Sequence, residues 1–162
     1  MSEAVGAIRV PIRLDYTITA GRALSRYLRG LAQGRVLGQR CPECKKVYVP
    51  PNGSCPICAV PTDEEVEVSD TGTVTTFCIV NLPFYGQKLE IPYVCASVLL
   101  DGADVTLFHL IQEIPADQVR MGLRVKAVWV SPEELQPMPQ SIRYFRPTGE
   151  PDAPFEAYEK YV

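Results

Sequence analysis

Four cysteines in two matched pairs, Cys41-Pro42-Glu43-Cys44 and Cys55-Pro56-Ile57-Cys58, constrain this chain more than any other feature. Each CxxC unit can form a tight turn that aims two sulfurs at one point. The segment 45–54 between them is long enough to bring the second turn back to the first. Four thiolates in tetrahedral array suit Zn²⁺ as a structural ion, with Cys41, Cys44, Cys55 and Cys58 as its ligands. Such a site is closed, so it holds shape and does not activate water. Any chemistry then lies elsewhere in the chain or on a partner.

The flanking sequence reads as a zinc ribbon over 35–60. Residues 35–40 enter the first cysteine pair as a short strand, and Val47-Tyr48-Val49 leave it as another. Pro50-Pro51-Asn52-Gly53 turns the chain toward the second pair. Ahead of the ribbon, Leu24, Tyr27, Leu28 and Leu31 fall at helical spacing on one face, with Thr19 as the expected N-cap and Gly34 as the stop. Gly30 weakens the last turn of that helix. Arg22, Arg26 and Arg29 lie largely off the apolar stripe. They either form a solvated face or grip a phosphate, such as that of a nucleotide-bearing cofactor. Residues 1–34 are thus an extended lead-in followed by an amphipathic helix.

After residue 66 the period shifts to that of strands. Five are expected, at 73–81, 92–100, 104–111, 123–130 and 141–146, rich in Val, Ile, Thr and aromatics and bounded by turn residues. Leu100-Asp101-Gly102-Ala103-Asp104 reads as a tight hairpin. Residues 114–122 leave room only for a turn or a very short helix. Five strands with a small interruption after the third is the pattern of an OB-fold barrel, here over 66–147. The fold class is therefore mostly β: an N-terminal helix, a rubredoxin-like zinc ribbon, a five-stranded barrel, and an acidic, aromatic tail over 148–162 that docks back or meets a partner.

Charge narrows the partners. The net charge of −3 hides nine Lys/Arg against three Asp/Glu in residues 1–46, and seven against sixteen in the remainder. The barrel should repel a polyanion, and its 131–140 loop is acidic and proline-rich. Both argue against a nucleic-acid face, which needs cations along the backbone path and stacking aromatics. The 82–91 loop places Phe84 and Tyr85 side by side between Pro83 and Gly86. Adjacent aromatics in a loop either bind a partner or cap the barrel's open end. No apolar run approaches the roughly 20 residues that span a bilayer, so no membrane association is expected. Metal-spaced cysteines without a secretory core at the N-terminus point to a reducing, cytoplasmic setting.

Catalytic signals are sparse. His109 is the single histidine. It lies mid-strand with no evident nucleophile or carboxylate beside it. Cys78 and Cys95 fall inside expected strands, where cysteine behaves as a small apolar residue. There is no glycine-rich phosphate loop, no G-x-S-x-G elbow and no HExxH. Nothing here reads as a catalytic residue.

The order of parts, a basic amphipathic helix, then GRVLGQRCPECKKVYVPPNGSCPIC, GTVTTFCIV and PYVCASVLLDG, resembles the zinc-ribbon plus OB-fold proteins catalogued as domain of unknown function thirty-five. This acyl-CoA-associated family is matched over roughly 19–146. Tyr48, Pro50 and Pro51 within the cysteine run are the most specific part. Gly72-Thr73-Val74 and Pro92-Tyr93 support it. The resemblance implies a non-catalytic subunit with structural zinc. Its partner would be a thiolase-fold enzyme, a thiolase or an aldolase of steroid side-chain breakdown, in a heterotetramer with two copies of each chain. It implies contact with acyl-CoA only through the complex. Arg22, Arg26, Arg29, Phe84, Tyr85 and Tyr93 are the candidates for contacting acyl-CoA or the partner. One departure stands out: many such knuckles carry Gly after the second cysteine, where this chain has Lys45 and Ala59. Two alternatives remain, an OB-fold nucleic-acid binder and a rubredoxin-like iron electron carrier.

Overall fold

A computed structural model describes residues 6–8, 10 and 14–162. Residues 1–5, 9 and 11–13 of the lead-in lie outside them. The described part of the lead-in has no helix or strand before Gly21, and Leu14, Tyr16 and Ile18 are exposed. Helix α1 (Gly21–Leu31) buries Ala23, Tyr27, Gly30 and Leu31. The expected apolar stripe is therefore the packed face. The expected cap is not observed: the N-cap is Ala20, with no side-chain hydrogen bond. A left-handed backbone at Gly21 (φ 65°) starts the helix too late for the Thr19 hydroxyl to serve it. Gly34, also left-handed (φ 70°), closes the C-terminal end, its N–H donating to the Leu31 carbonyl at 3.1 Å. Gly30 costs helix propensity, yet any Cβ there would stand 2.7 Å from the Leu37 side chain. Its smallness lets the helix seat on the first ribbon strand.

The ribbon sheet has three strands in the order β2-β1-β3: β1 (Val36–Arg40), β2 (Val47–Tyr48) and β3 (Glu64–Val68). The third was not legible in the sequence. It pairs antiparallel with β1 along its whole length, from Val36 opposite Val68 to Arg40 opposite Glu64. Glu64, Glu65 and Glu67 are exposed along this edge and obscure its β pattern. Charged side chains of this kind keep an edge strand from pairing with other chains. Arg40 and Arg35 meet Glu64 and Glu67 across the pair at 3.1 and 3.4 Å.

The barrel is closed, in the order β4-β5-β6-β8-β7 with β7 returning to β4. Its strands are β4 (Thr71–Val80), β5 (Tyr93–Leu100), β6 (Thr106–Ile111), β7 (Arg124–Trp129) and β8 (Ile142–Pro147). These match the five expected strands to within a few residues, and the interruption after the third is a 3₁₀ turn of three residues, Ala116–Gln118. Burial alternates strictly along β5, with Val94, Ala96, Val98 and Leu100 inward. Period-2 alternation of this kind fixes strand register. Strands β4 and β5 approach so closely at Gly72 that a Cβ there would collide with the Leu99 carbonyl oxygen.

Helix, ribbon and barrel share one continuous apolar core in which Leu31, Val36 and Val47 meet Val74, Val98 and Phe145. The ribbon is also tied to the barrel by a reciprocal pair of hydrogen bonds. The Val47 N–H donates to the Asp104 carboxylate at 3.0 Å, and the Asp104 N–H donates to the Val47 carbonyl at 2.8 Å. The tail docks back: Asp152 accepts two hydrogen bonds from Arg120 at 2.6 and 2.8 Å, and Tyr158 is buried. Among the described residues no helix is long and apolar enough to cross a membrane.

Candidate metal centre

The two knuckles are built alike. In the first, the Cys41 N–H donates to the Lys46 carbonyl and the Lys45 N–H donates to the Cys41 carbonyl, at 2.9 and 3.1 Å. In the second, the Cys55 N–H donates to the Val60 carbonyl and the Ala59 N–H donates to the Cys55 carbonyl, at 2.8 and 2.9 Å. Each turn closes through a left-handed residue directly after its second cysteine, Lys45 at φ 63° and Ala59 at φ 56°. These are the positions where glycine was missing. The knuckle backbone is kept, with two non-glycine residues held in a conformation that costs a side-chain-bearing residue about 1–2 kcal/mol.

The sulfurs of Cys41, Cys44, Cys55 and Cys58 all lie within 4.8 Å of one another, brought together from either side of the 45–54 segment. Cys41 and Cys55 are buried, whereas Cys44 and Cys58 are half-buried. Four sulfurs this close cannot all carry charge without a cation. Burial, reinforced by Cys44, Cys55 and Cys41, pushes the Cys58 thiol up to about 12. Burial also raises Cys55, but hydrogen bonds from Tyr48 and from the N–H groups of Cys58 and Ile57 outweigh it and bring Cys55 down to about 6. The cluster therefore sets one thiol that gives up its proton readily, Cys55, beside one that resists ionisation unless a metal offsets the charge, Cys58, which suits a structural zinc site.

Tyr48 supplies the support around the ligands. Its buried hydroxyl lies 3.2 Å from the Cys55 sulfur, and the Cys58 N–H donates to that sulfur at 3.3 Å. Partners of this kind orient a ligand and tune its basicity. From the sequence Tyr48 reads as a strand residue and as part of a motif, not as a partner of the ligands. Its role follows from strand β2, which carries it back over the second knuckle. Val105, from the barrel, packs against the same cluster. No sequence signal marked Val105 or Asp104 as the joint between the two parts.

The other candidate residues occupy separate places. Arg22, Arg26 and Arg29 are exposed on the outer face of α1 and line a shallow depression with Gly21 and Ser25. Phe84 and Tyr85 protrude from the 82–91 loop, 60% and 83% exposed, so Phe84 does not cap the barrel. Tyr93 lines a different depression at the start of β5, with Val94, Ile111 and Glu113. His109 stands edge-on to Phe145 at 5.6 Å, and its Nδ1 accepts the Leu110 N–H at 2.9 Å. Burial holds it below the ordinary histidine range. Cys95 lines the same surface depression of about 550 Å³ as His109, yet burial raises its thiol and the histidine does not activate it. Among the described residues these groups assemble no nucleophile–base pair.

Comparison with known proteins matches both halves. A family described as the ChsH2 rubredoxin-like zinc ribbon domain matches residues 29–64, and one described as the ChsH2 C-terminal OB-fold domain matches residues 65–130. A DUF35 domain-containing scaffold protein of Methanocaldococcus jannaschii is 33% identical over 96 residues, 58% of this chain and 67% of that protein. One of Pyrococcus furiosus is 32% identical over 106 residues, 65% of this chain and 76% of that protein. A probable enoyl-CoA hydratase alpha subunit of Thermomonospora curvata is 30% identical over 115 residues, 71% of this chain but 34% of that protein. Among solved structures, a chain described as Ltp2-ChsH2(DUF35) aldolase superposes with a TM-score of 0.60 at 29% identity, covering 78% of this chain and 95% of that one.

Proposed function

From its membership of the DUF35 family of zinc-ribbon and OB-fold proteins, to which this chain belongs, we propose that it is a non-catalytic accessory subunit of a thiolase-fold enzyme acting on acyl-CoA. The observation that carries this reading is the closed metal centre. The four clustered cysteine sulfurs would fill every position of a tetrahedral zinc ion, so the ion would shape a surface and leave no place for substrate. The scaffold proteins and the aldolase-complex chain that resemble it support a role beside an enzyme. The hydratase subunit supports acyl-CoA as the substrate class.

In this reading the partner supplies the catalytic groups. Helix α1 and the ribbon form the contact surface, and the barrel loops border the acyl-CoA entrance. Arg22, Arg26 and Arg29 present an exposed cationic face suited to a phosphate or to acidic residues of the partner. Phe84 and Tyr85 offer aromatic area that a partner would cover, with Tyr93 at the base of their loop. A steroid side-chain CoA ester is the proposed substrate of the complex, in a cytoplasmic assembly with two copies of each chain.

Affinity purification of the chain at native expression, with mass spectrometry of what elutes, tests this. A stoichiometric thiolase-fold protein is the expected outcome. Elution alone or with nucleic acid overturns the reading.

A further inference from the structure

We propose that Cys78 and Cys95 are a cross-strand thiol pair on the outer face of the barrel that closes to a disulfide on exposure to a disulfide oxidant such as oxidised glutathione. Strands β4 and β5 are antiparallel, with Cys78 directly opposite Cys95. Directly opposed residues in such a pair have Cα atoms about 4.5 or 5.5 Å apart, depending on the hydrogen-bonding site. Both spacings fall within the roughly 4.4–6.8 Å that a disulfide bridges. The side chains also share a face. Val94 and Ala96, on either side of Cys95, are buried in the barrel, so Cys95 points outward, and Cys78 is exposed. The two sulfurs sense each other: after burial, the charge of Cys78 is the next cause that raises the Cys95 thiol. Neither thiol has a hydrogen-bond partner among the described residues, and neither belongs to the zinc cluster. A small apolar role accounts for one half-buried cysteine, but not for a second, exposed one directly across the ladder.

The chemistry balances in two exchanges. The Cys78 thiolate attacks one sulfur of oxidised glutathione, the glutathione S–S bond breaks, and one glutathione thiolate leaves. Cys95, on losing its proton, attacks the Cys78 sulfur and expels the second glutathione. Two protein thiols are oxidised, one glutathione disulfide is reduced to two thiols, and the two protons pass to the departing thiolates. Exposure favours Cys78 for the first step and leaves Cys95 to resolve it. The bond would lie two residue pairs from the last pair of the ladder, Val80 opposite Tyr93, at the root of the hairpin that presents Phe84 and Tyr85. Oxidation would therefore stiffen the entry to that loop. This inference stands whether or not the chain serves an enzyme partner.

The test uses the full, zinc-loaded chain. It is incubated with oxidised glutathione while a chromophoric chelator follows zinc release, then alkylated, digested without reductant and mapped by mass spectrometry. The expected result is a peptide joining Cys78 to Cys95, lighter by two hydrogens, with zinc still bound. Cys95→Ser should stop at a glutathione adduct on Cys78. Cys78→Ser should lose the cross-link and take up glutathione about tenfold more slowly, because only the shielded thiol remains. Adducts on both residues without a joined peptide, a joined peptide that forms only as zinc is released, or no reaction at either residue would overturn the proposal. If a variant fails to fold, as judged by its zinc content, the peptide map of the unmodified sequence decides alone.

Discussion

The centre of the barrel is apolar: Val74, Val98, Val125 and Phe145 have no exposure at all, and strands β4, β5, β7 and β8 supply one each. The centre of the ribbon is Cys41, Tyr48 and Cys55, with Cys44, Cys58, Val60 and Val105 packed around them. The barrel buries enough carbon to hold itself together, whereas the ribbon converges four sulfurs that repel one another once ionised. Zinc-binding free energy is folding free energy in modules of this size. The barrel is thus held by apolar packing alone, whereas the ribbon shares that core through Val36, Val47 and Val49 and would add an ion at its knuckles.

Removing the ion should have the largest effect. Cys41→Ser or Cys58→Ser is expected to abolish bound zinc and recovery of a soluble complex. Elemental analysis and co-purification would show this. Soluble, fully active complex from either variant would break the contrast between the regions. The same site predicts a pH dependence. In the metal-free cluster Cys55 is already ionised above about 6, while Cys58 keeps its proton to about 12. Zinc uptake at neutral pH must therefore release protons, and affinity should rise with pH. Calorimetric titration in buffers of different ionisation enthalpy measures this, and the sample should stay colourless, unlike a ferric thiolate site.

Phe145→Ala tests the other side. Deleting a fully buried phenylalanine costs about 3–5 kcal/mol, which should appear in denaturant unfolding of zinc-loaded protein while its metal content stays unchanged. Gly72→Ala forces a methyl group against the Leu99 carbonyl and should cost about 1–3 kcal/mol in the same measurement. Tyr48→Phe keeps the ring and removes one hydrogen bond to the Cys55 sulfur. It should weaken zinc about tenfold in a chelator competition, with little change in barrel stability. Ala59→Gly is the smallest change and has the opposite sign. It relieves a left-handed alanine and should stabilise the ribbon by about 0.5–1 kcal/mol, net of the freedom glycine gains in the unfolded chain.

Much of this was legible beforehand because the signals are local. The knuckles are written in CxxC spacing, the helix face in its 3.6-residue period and the β5 ladder in strict alternation. Strand β3 was missed because three of its five residues are exposed glutamates, and only pairing with β1 makes it a strand. Thr19 looked like a cap because composition cannot reveal that Gly21 turns left-handed. Lys45 and Ala59 stand where many such knuckles carry glycine, which left the finer knuckle geometry open in the sequence. In the structure both residues adopt the left-handed conformation and both turns close through their hydrogen bonds.

The sequence by itself determined the ligand set, the mostly-β class and the absence of a recognisable catalytic motif, because each depends on residue type and near spacing. Tertiary structure decided three things that depend on contacts between distant positions. It set the Tyr48 hydroxyl against the Cys55 sulfur, joined ribbon to barrel through Asp104 and Val47, and placed Cys78 opposite Cys95. The physical reason is that strand register and barrel closure minimise the free energy of the whole chain. No local pattern encodes which two distant residues will come to face each other.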